Sequence, residues 1–176
     1  MKSMKNIILT GLMGSGKTTV GNILKEIFRD FSFVETDSLI IKKEGLSIND
    51  IFSIKGENYF RKIEKTVIED VLKEKNQIIS LGGGSLENDF DFETAKKTSV
   101  IFYLKADVEI LSERIKNNKE RPLLKCENPK NKLKELLDKR KNNYEKADFI
   151  IDVSKISAKE AAQEIERVYR NETENY

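Results

Sequence analysis

The sequence contains no histidine and no tryptophan, and it has one cysteine and two prolines among its 176 residues. Without histidine, no imidazole is available as a general base, as the partner of a serine or cysteine nucleophile, or as a ligand of zinc or haem. The single cysteine, Cys126, excludes an internal disulfide and indicates a reducing compartment. Any chemistry must therefore run on carboxylates, lysine, arginine, backbone amides or a hard cation.

The chain also lacks a large net charge and long apolar runs. Its 32 Lys and Arg residues against 30 Asp and Glu residues leave a net charge of +2, which provides no basic surface for nucleic acid or a membrane. The N-terminal region has only three consecutive apolar residues, at positions 7–9, far short of the roughly 18 residues of a membrane span. We therefore expect a cytoplasmic, soluble protein without nucleic-acid or membrane partners.

A chain of this length fits a single domain over residues 1–176. Short apolar segments alternate along it with stretches of helical periodicity, which predicts an α/β fold of three layers, α/β/α. The segments are apolar throughout rather than at alternate positions, as in parallel strands buried on both faces. The sheet should have about five strands, at 6–10, 33–34, 77–81, 99–104 and 148–153.

One polar segment interrupts this alternation. Residues 117–132 contain both prolines and many charged residues, between two predicted helices. Such a segment predicts either a lid over a site or a plain surface loop. At the C-terminus, we expect residues 171–176 to form a flexible tail.

Residues 11–18, GLMGSGKT, match the phosphate-loop pattern G-x-x-x-x-G-K-[ST] between a predicted strand and a predicted helix. The glycines allow backbone amides to surround phosphates, Lys17 would neutralise the β- and γ-phosphates, and the Thr18 hydroxyl would bind Mg²⁺. The chain has neither the Asn-Lys-x-Asp nor the Asp-x-x-Gly motif of GTPase switches, which favours transfer to a small molecule. The predicted nucleotide-binding residues here are Gly14, Ser15, Gly16, Lys17, Thr18 and Thr19.

Two carboxylates, Glu35 and Asp37, follow the predicted strand 33–34. The carboxyl ends of parallel strands meet at one edge of a sheet, so these side chains should lie near the phosphates. One could hold Mg²⁺ through water, and the other could orient or deprotonate an acceptor hydroxyl. The alternative is a capping role at the start of the next helix.

Residues 60–72 form an apolar stripe with helical spacing, in which Glu64 falls at the centre and Arg61 near one edge. A carboxylate on a buried face needs a partner, and an arginine three residues earlier supplies one. Two interpretations remain open on these residues alone. Arg61 is either a substrate-binding guanidinium braced by Glu64 or half of an internal ion pair.

Further candidates occur later in the chain. Gly82, Gly83 and Gly84 follow a strand, where they either let backbone amides approach a ligand or form a tight turn. Arg140 shares a helical stripe with leucines and Tyr144, so it points inward, toward a cleft edge, or snorkels from the stripe.

Two more arginines are linked to the predicted lid. Arg121, on the polar segment 117–132, could close over a γ-phosphate or remain a solvated loop charge. Arg114, seven residues earlier on the preceding helix, could face the nucleotide or solvent.

In combination, these segments resemble the shikimate kinase family. The resemblance covers residues 6–168, nearly the whole chain, and the length is that of a free-standing member. The phosphate loop is shared with many kinases, whereas the later motifs are much more specific. The matching segments, in order, are 11–18, the acidic pair at 35 and 37, Phe60-Arg61-x-x-Glu64, the glycines 82–84, Arg121-Pro-Leu-Leu, and Arg140 with Tyr144.

The resemblance implies a phosphate-loop kinase that uses ATP and Mg²⁺ to phosphorylate the 3-hydroxyl of shikimate in aromatic amino-acid biosynthesis. Arg61 and Arg140 would clamp the substrate carboxylate, a group that a bidentate guanidinium fits. Glycines 82–84 would line the pocket, and we expect a monomer. The resemblance further implies that Lys17, Asp37 and Arg121 are catalytic, that Asp37 binds the substrate hydroxyls, that Arg114 and Arg121 contact the nucleotide, and that Thr18 and Glu35 bind the metal.

The sequence departs from this family at three places. Glu35 stands where the family usually has aspartate, and Asn142 and Asn143 precede Tyr144 where Pro-Leu is common. The adenine-side loop before the last helix is reduced to residues 155–157.

Two alternatives to a shikimate kinase remain. Another small-metabolite kinase, for gluconate or a nucleoside monophosphate, would share the architecture, and gluconate also carries a carboxylate and hydroxyls. A phosphate-loop binding module without turnover is the non-enzymatic alternative, and Glu35 is its main support.

Overall fold

The computed structural model describes residues 5–87, 90–116 and 128–174. Arg121, Pro122 and Cys126 lie outside the described residues, as does most of the segment predicted to form a lid.

Five parallel strands form one sheet, in agreement with the prediction from the apolar segments. They are β1 (Asn6–Thr10), β2 (Ser32–Glu35), β3 (Gln77–Ser80), β4 (Ser99–Lys105) and β5 (Phe149–Asp152). Their spatial order is β2-β3-β1-β4-β5, and Ile8 at the centre pairs with Ile79 on one side and Ile101 on the other. Such aliphatic residues suit strands that are covered on both faces.

Eight helices occur in the described residues, and three of them, α2, α3 and α5, have no counterpart in the sequence prediction. They have seven to nine residues, too few turns for a helical period to be evident. The helices are α1 (Lys17–Ile27), α2 (Thr36–Glu44), α3 (Ile48–Lys55), α4 (Glu57–Lys73), α5 (Phe92–Thr98), α6 (Val108–Lys116), α7 (Pro129–Tyr144) and α8 (Ala158–Glu174).

Two predicted boundaries differ from the structure. The end of the predicted lid, residues 128–132, belongs to the start of α7, where the Asn128 side chain accepts a hydrogen bond from the Asn131 amide. Pro129 suits this position because the first residues of a helix need no N–H donor. The predicted flexible tail also begins too early, since α8 continues to Glu174.

The strand order decides on which face each helix lies. The chain moves from β1 to β2 in one direction across the sheet and from β2 through β3 to β4 in the other. Right-handed crossovers therefore place α1 and α4 on opposite faces. Helix α8 packs on α1. The loop after β1 and the loop after β3 leave the sheet toward different faces. A crevice therefore opens between the carboxyl ends of these two strands.

The hydrophobic core lies on the central strands. Residues 7–9 of β1 are fully buried, and so are Ile78 of β3 and Leu104 of β4. None of the helices in the described ranges is long and apolar enough to cross a membrane.

Candidate functional site

A cleft of about 1160 Å³ opens at the carboxyl edge of the sheet, at the crevice between β1 and β3. The loop after β1, the end of β2, the loop after β3 and residues from seven of the described helices, all but α5, contribute to its walls. All sequence-predicted site residues within the described ranges line this one cleft. They are Gly14, Ser15, Gly16, Lys17, Thr18, Thr19, Glu35, Asp37, Arg61, Gly82, Gly83, Gly84, Arg114 and Arg140.

The phosphate loop, residues 11–18, turns directly into helix α1. Gly16 caps the helix with φ 92° and ψ 15°, a left-handed conformation that glycine adopts without strain. No side chain caps the helix, so its N-terminal end faces the cleft with its positive partial charge. Lys17 donates from Nζ to the carbonyl oxygens of Gly11 at 2.7 Å and Leu12 at 3.2 Å, which keeps its charge beside the loop.

Thr18 and Glu35 lie side by side at this end of the cleft. The Thr18 hydroxyl donates to Glu35 Oε1 at 2.5 Å, and Ser38 reaches Glu35 Oε2 at 3.5 Å. Among the described residues, no cluster of three or more His, Cys, Asp or Glu side chains could hold a metal. A pair of oxygen ligands fits Mg²⁺ nonetheless, because this ion keeps several waters and takes phosphate oxygens.

Asp37 lies in the first turn of α2, and its carboxylate approaches the loop after β3. A methyl group on Gly82 would lie 2.5 Å from Asp37 Oδ1 and 3.2 Å from Glu64 Oε1. A side chain at Gly82 would therefore force the Asp37 carboxylate to move from its place beside the glycines. The capping alternative for the acidic pair is only partly realised, since Glu35 precedes the helix but makes no side-chain capping bond.

Arg61 and Glu64 form the ion pair that their spacing on α4 predicts. Arg61 Nη1 lies 2.7 Å from Glu64 Oε2, and Ser85 donates to Glu64 Oε1 at 2.7 Å. Glu64 is only 4% exposed. Burial lowers the pKa of Arg61, but the hydrogen bond and charge of Glu64 raise it by more, so the guanidinium stays charged. The two interpretations of Arg61 are thus compatible, because the paired guanidinium also lines the cleft.

Arg140 reaches the same place from helix α7, on the other side of the glycines. A methyl group on Gly84 would lie 3.0 Å from Arg61 Nη2 and 3.1 Å from Arg140 Nη2. Both guanidinium groups therefore converge on Gly84. We call Gly82, Gly83 and Gly84 the glycine triplet, and Arg61 with Arg140 the arginine pair.

Tyr144, one turn after Arg140, fixes α7 to the glycine triplet. Its ring is 1% exposed and stacks on Tyr103 of β4, with ring centres 4.8 Å apart. Its hydroxyl donates to the carbonyl oxygen of Gly83 at 2.5 Å. Burial raises the pKa of Tyr144 far above its ordinary value, so the phenol remains a donor at neutral pH.

Arg114 lines the opposite end of the cleft. Its Nη2 donates to the carbonyl oxygen of Val153 at 2.9 Å, next to the short loop before α8. Ile156, Ser157 and Ala158 line the same wall. This end thus offers an apolar surface, a hydroxyl and one guanidinium.

Sequence reasoning missed two residues that do not line the cleft but hold residues that do, Ser85 and Glu87. Ser85 is 5% exposed and binds Glu64, whereas Glu87 forms ion pairs with Arg140 and with Lys139. Both follow the glycine triplet in an irregular segment without helical or strand periodicity, so the pattern could not show which way they point. A glutamate three residues after a predicted glycine turn was the one available signal.

A protein-family model described as Shikimate kinase matches residues 13–170 of the chain. A shikimate kinase of Thermodesulfovibrio yellowstonii is 44% identical over 166 residues, which cover 94% of this chain and 95% of that protein. The match extends over almost the whole of both chains.

The solved structures agree with the sequence comparison. A shikimate kinase from Acinetobacter baumannii in complex with shikimate superposes with a TM-score of 0.89 at 35% identity, covering 96% of this chain and 94% of that one. A gluconokinase from Sinorhizobium meliloti covers 99% of both chains but reaches a TM-score of 0.59 at 18% identity, a likeness of fold alone. The predicted three-layer phosphate-loop kinase fold is confirmed.

Proposed function

The chain belongs to the shikimate kinase family, and we propose that its cleft transfers the γ-phosphoryl group of ATP to the 3-hydroxyl of shikimate. One observation supports this most directly. A phosphate loop and a pair of converging guanidinium groups line the same cleft, so a nucleotide and a carboxylate-bearing acceptor can be bound together. Phosphoryl transfer needs mainly positioning and charge neutralisation, and neither requires histidine.

The phosphate loop binds the nucleotide. Backbone amides at the start of α1 surround the β- and γ-phosphates, and Lys17 leaves the carbonyl oxygens of Gly11 and Leu12 to neutralise them. Gly14, Ser15, Gly16 and Thr19 belong to this cradle. Arg114 borders the base and sugar at the end of the cleft formed with the loop before α8.

Thr18 and Glu35 hold Mg²⁺ in this proposal. Their oxygen atoms lie 2.5 Å apart at the mouth of the phosphate loop, so one hydrated cation can reach both. The cation neutralises charge on the phosphate oxygens when it is bound. Glu35 is one methylene longer than the aspartate usual in the family, and the contact with Thr18 supports its place in this pair.

The arginine pair binds the carboxylate of the acceptor. Arg61 and Arg140 both reach Gly84 and line the same cleft as the phosphate loop, so an acceptor held by them lies in that cleft with the nucleotide. A carboxylate accepts two parallel hydrogen bonds from a guanidinium, so the pair fixes both its position and its rotation. The acceptor hydroxyl then points away from the clamp, toward the nucleotide.

Asp37 and Arg121 complete the catalytic set. Asp37 lines the cleft beside Gly82, where its carboxylate can accept hydrogen bonds from the acceptor hydroxyls and take the proton as the new bond forms. Arg121 lies outside the described residues, and its assigned role, to neutralise the transferred phosphoryl group from the lid, rests on the family resemblance.

The test is ADP release from MgATP in the presence of shikimate, of gluconate, or of no acceptor, with EDTA as the control for the metal. We expect stimulation by shikimate alone and loss of it with EDTA, and phosphorus NMR should identify a 3-phosphate. ATP binding without stimulation by shikimate, or equal stimulation by gluconate, would contradict the proposed function.

A monomeric enzyme of the cytoplasm completes the proposal. All walls of the cleft come from a single chain, which supports activity without a partner subunit. Sedimentation at the enzyme's working concentration tests this, and we expect a mass near 20.3 kDa.

A further inference from the structure

Glu87 is a buried carboxylate beside the arginine pair that the proposed function does not use. Its side chain is 7% exposed, Oε1 accepts a hydrogen bond from Arg140 Nε, and Oε2 lies 2.6 Å from Lys139 Nζ. The negative charge of Glu87 is balanced by these two basic side chains, so it does not by itself exclude an anionic ligand from the neighbouring cleft. The geometry of Arg140 indicates what Glu87 contributes.

A guanidinium has two kinds of edge that can bind a carboxylate: the Nη1–Nη2 edge, and an edge that includes Nε. Glu87 occupies Nε of Arg140. Nη1 and Nη2 turn the other way, since methyl groups on Gly83 and Gly84 would lie 3.4 Å and 3.1 Å from them. The contact with Glu87 therefore leaves the Nη1–Nη2 edge directed at the glycine triplet.

The backbone around the glycine triplet fixes Glu87 in turn. The Ser85 amide donates to the carbonyl oxygen of Gly82 at 3.1 Å, and the Glu87 amide donates to that of Gly84 at 3.0 Å. Two successive turns thus place the Glu87 carboxylate behind Arg140, on the segment that also forms the floor of the pocket. Glu87 thus connects Arg140 to the segment that carries the glycine triplet.

Arg61 is also held by a glutamate, but at a different atom from Arg140. There the buried Glu64 binds Nη1 and is itself held by Ser85, on the same segment as Glu87. Burial raises the pKa of Glu87, but Lys139 and Arg140 lower it by more, so the carboxylate stays ionised at neutral pH. Each arginine of the pair is therefore held by a glutamate, Arg61 at Nη1 and Arg140 at Nε.

A purely structural ion pair between the triplet segment and α7 is the competing explanation. Buried ion pairs contribute little net stability, and Tyr144 already joins α7 to Gly83 by a hydrogen bond. The ion pair between Glu87 and Arg140 therefore orients the Arg140 side chain more than it holds α7 against the triplet segment. Lys139, which is 68% exposed, supplies the counter-charge from the solvent side.

We propose that Glu87 is a positioning residue that orients the guanidinium of Arg140 so that its Nη1–Nη2 edge binds the acceptor carboxylate. This inference rests on the proposed function, because it assigns Glu87 a task in binding the same acceptor. The effect should fall on the acceptor more than on ATP, because Glu87 contacts Arg140 of the proposed carboxylate clamp and contacts no phosphate-loop side chain in the described hydrogen bonds and ion pairs.

The test compares Glu87→Ala, Glu87→Gln and the matched control Lys139→Ala in steady-state kinetics and thermal melting. We expect Glu87→Ala to raise the KM for shikimate about tenfold, the effect of a typical coupling between contacting charged groups, with the KM for ATP and the melting temperature nearly unchanged. Glu87→Gln, which keeps an oxygen acceptor for Nε, should recover part of the loss. Lys139→Ala should change neither KM more than about twofold.

A double-mutant cycle separates positioning from structure. In an Arg140→Ala background, Glu87→Ala should raise the KM for shikimate no further, since there is no guanidinium left to orient. An unchanged or lower KM for shikimate in Glu87→Ala, or a parallel loss of ATP affinity and melting temperature, would overturn the inference. If the unsubstituted enzyme fails to phosphorylate shikimate, the proposed function is wrong and this inference is wrong with it. If the enzyme phosphorylates shikimate, the kinetics of the Glu87 variants alone test the inference.

Discussion

At the scale of single residues, the site consists of charged groups that are held by buried partners. Arg61 lies against Glu64, which is 4% exposed, and Arg140 lies against Glu87. A side chain held in this way loses little further entropy when a ligand arrives, so more of the interaction energy remains for binding. In a chain with 35% charged residues, this pre-arrangement would distinguish the proposed clamp from ordinary surface arginines.

Arg61→Lys tests the carboxylate clamp without leaving the buried Glu64 carboxylate unpaired. Lysine keeps a positive charge beside the buried carboxylate but lacks the planar fork that binds a carboxylate through two hydrogen bonds. We expect the KM for shikimate to rise about tenfold while the KM for ATP stays within about twofold. Steady-state kinetics with each substrate varied in turn measures both. Equal losses for the two substrates would exclude a carboxylate-clamp role.

Lys17→Ala tests the phosphate loop. The variant loses the charge that neutralises the β- and γ-phosphates, so we expect kcat to fall by about 10³-fold. Melting temperature should stay within a few degrees, because the contacts of Lys17 with Gly11 and Leu12 lie at the cleft and not in the core. Lys25→Ala, in the last turn of the same helix, is the matched control and should leave kcat intact. Near-normal turnover in Lys17→Ala would remove the phosphate-loop mechanism.

Gly84→Ala tests whether the arginine pair converges where the structure places it. The added methyl group would lie about 3 Å from the tips of both guanidinium groups, which can swing aside because they end flexible side chains. Stability should therefore change little, whereas the KM for shikimate should rise about tenfold through misplacement of the clamp. Gly83→Ala, whose methyl lies 3.4 Å from Arg140 Nη1, should have the smaller effect. The reverse order would contradict the described geometry.

At the scale of elements, the site depends on how helix α7 docks on the sheet. Tyr144 stacks on Tyr103 of β4 and bonds to Gly83 after β3, so one side chain connects α7 with two strands. Arg140 lies one turn earlier on the same face of the helix, and its reach into the cleft depends on this docking. Helix α4 carries Arg61 by a similar arrangement, through Phe60 in the core.

Tyr144→Phe tests the hydrogen bond that Tyr144 makes to the glycine triplet separately from the packing of its ring. The ring remains, but the hydrogen bond to Gly83 is lost, so the free energy of unfolding should fall by about 1 kcal/mol. The KM for shikimate should rise as well, because α7 carries Arg140. Tyr169→Phe, which removes a hydrogen bond from α8 to the carbonyl oxygen of Lys5, should cost similar stability without a change in KM. Urea titration and kinetics on both variants decide, and identical kinetic effects would exclude a specific role for Tyr144.

At the scale of the whole molecule, charge and the absence of histidine determine how stability responds to pH. Burial raises the pKa of Glu87, but Lys139 and Arg140 lower it by more, and the hydroxyl of Ser154 lowers the pKa of Asp152. The unfolded chain binds more protons at such groups, so their stabilisation is complete above the ordinary carboxyl pKa and is lost as the pH falls through the lowered values.

The free energy of unfolding should therefore be nearly constant between about pH 5.5 and 7.5 and decline below about pH 4.5. Urea titrations across pH 3.5 to 7.5 measure this profile. A step near pH 6.5, the usual mark of a histidine, would contradict the reasoning, since the chain contains none.

Much of the site was predictable because its residues follow strands or share a helical face. The phosphate loop, the acidic pair at 35 and 37, and the glycine triplet all stand at carboxyl ends of strands, which meet at one edge of a parallel sheet. Arg61 and Arg140 belong to long helices whose apolar stripes show which way they point. Ser85 and Glu87 occupy irregular backbone, where no period relates position to direction.

The sequence by itself determined the fold class, the phosphate loop and the residue types available for chemistry, because these depend on local patterns and on composition. Only the tertiary structure decided that Arg61 and Arg140 converge on Gly84, and that Glu87 stands behind Arg140. These contacts join residues 23 to 56 positions apart in the chain. Their geometry follows from strand order and helix docking, which place distant segments together and which no short stretch of sequence encodes.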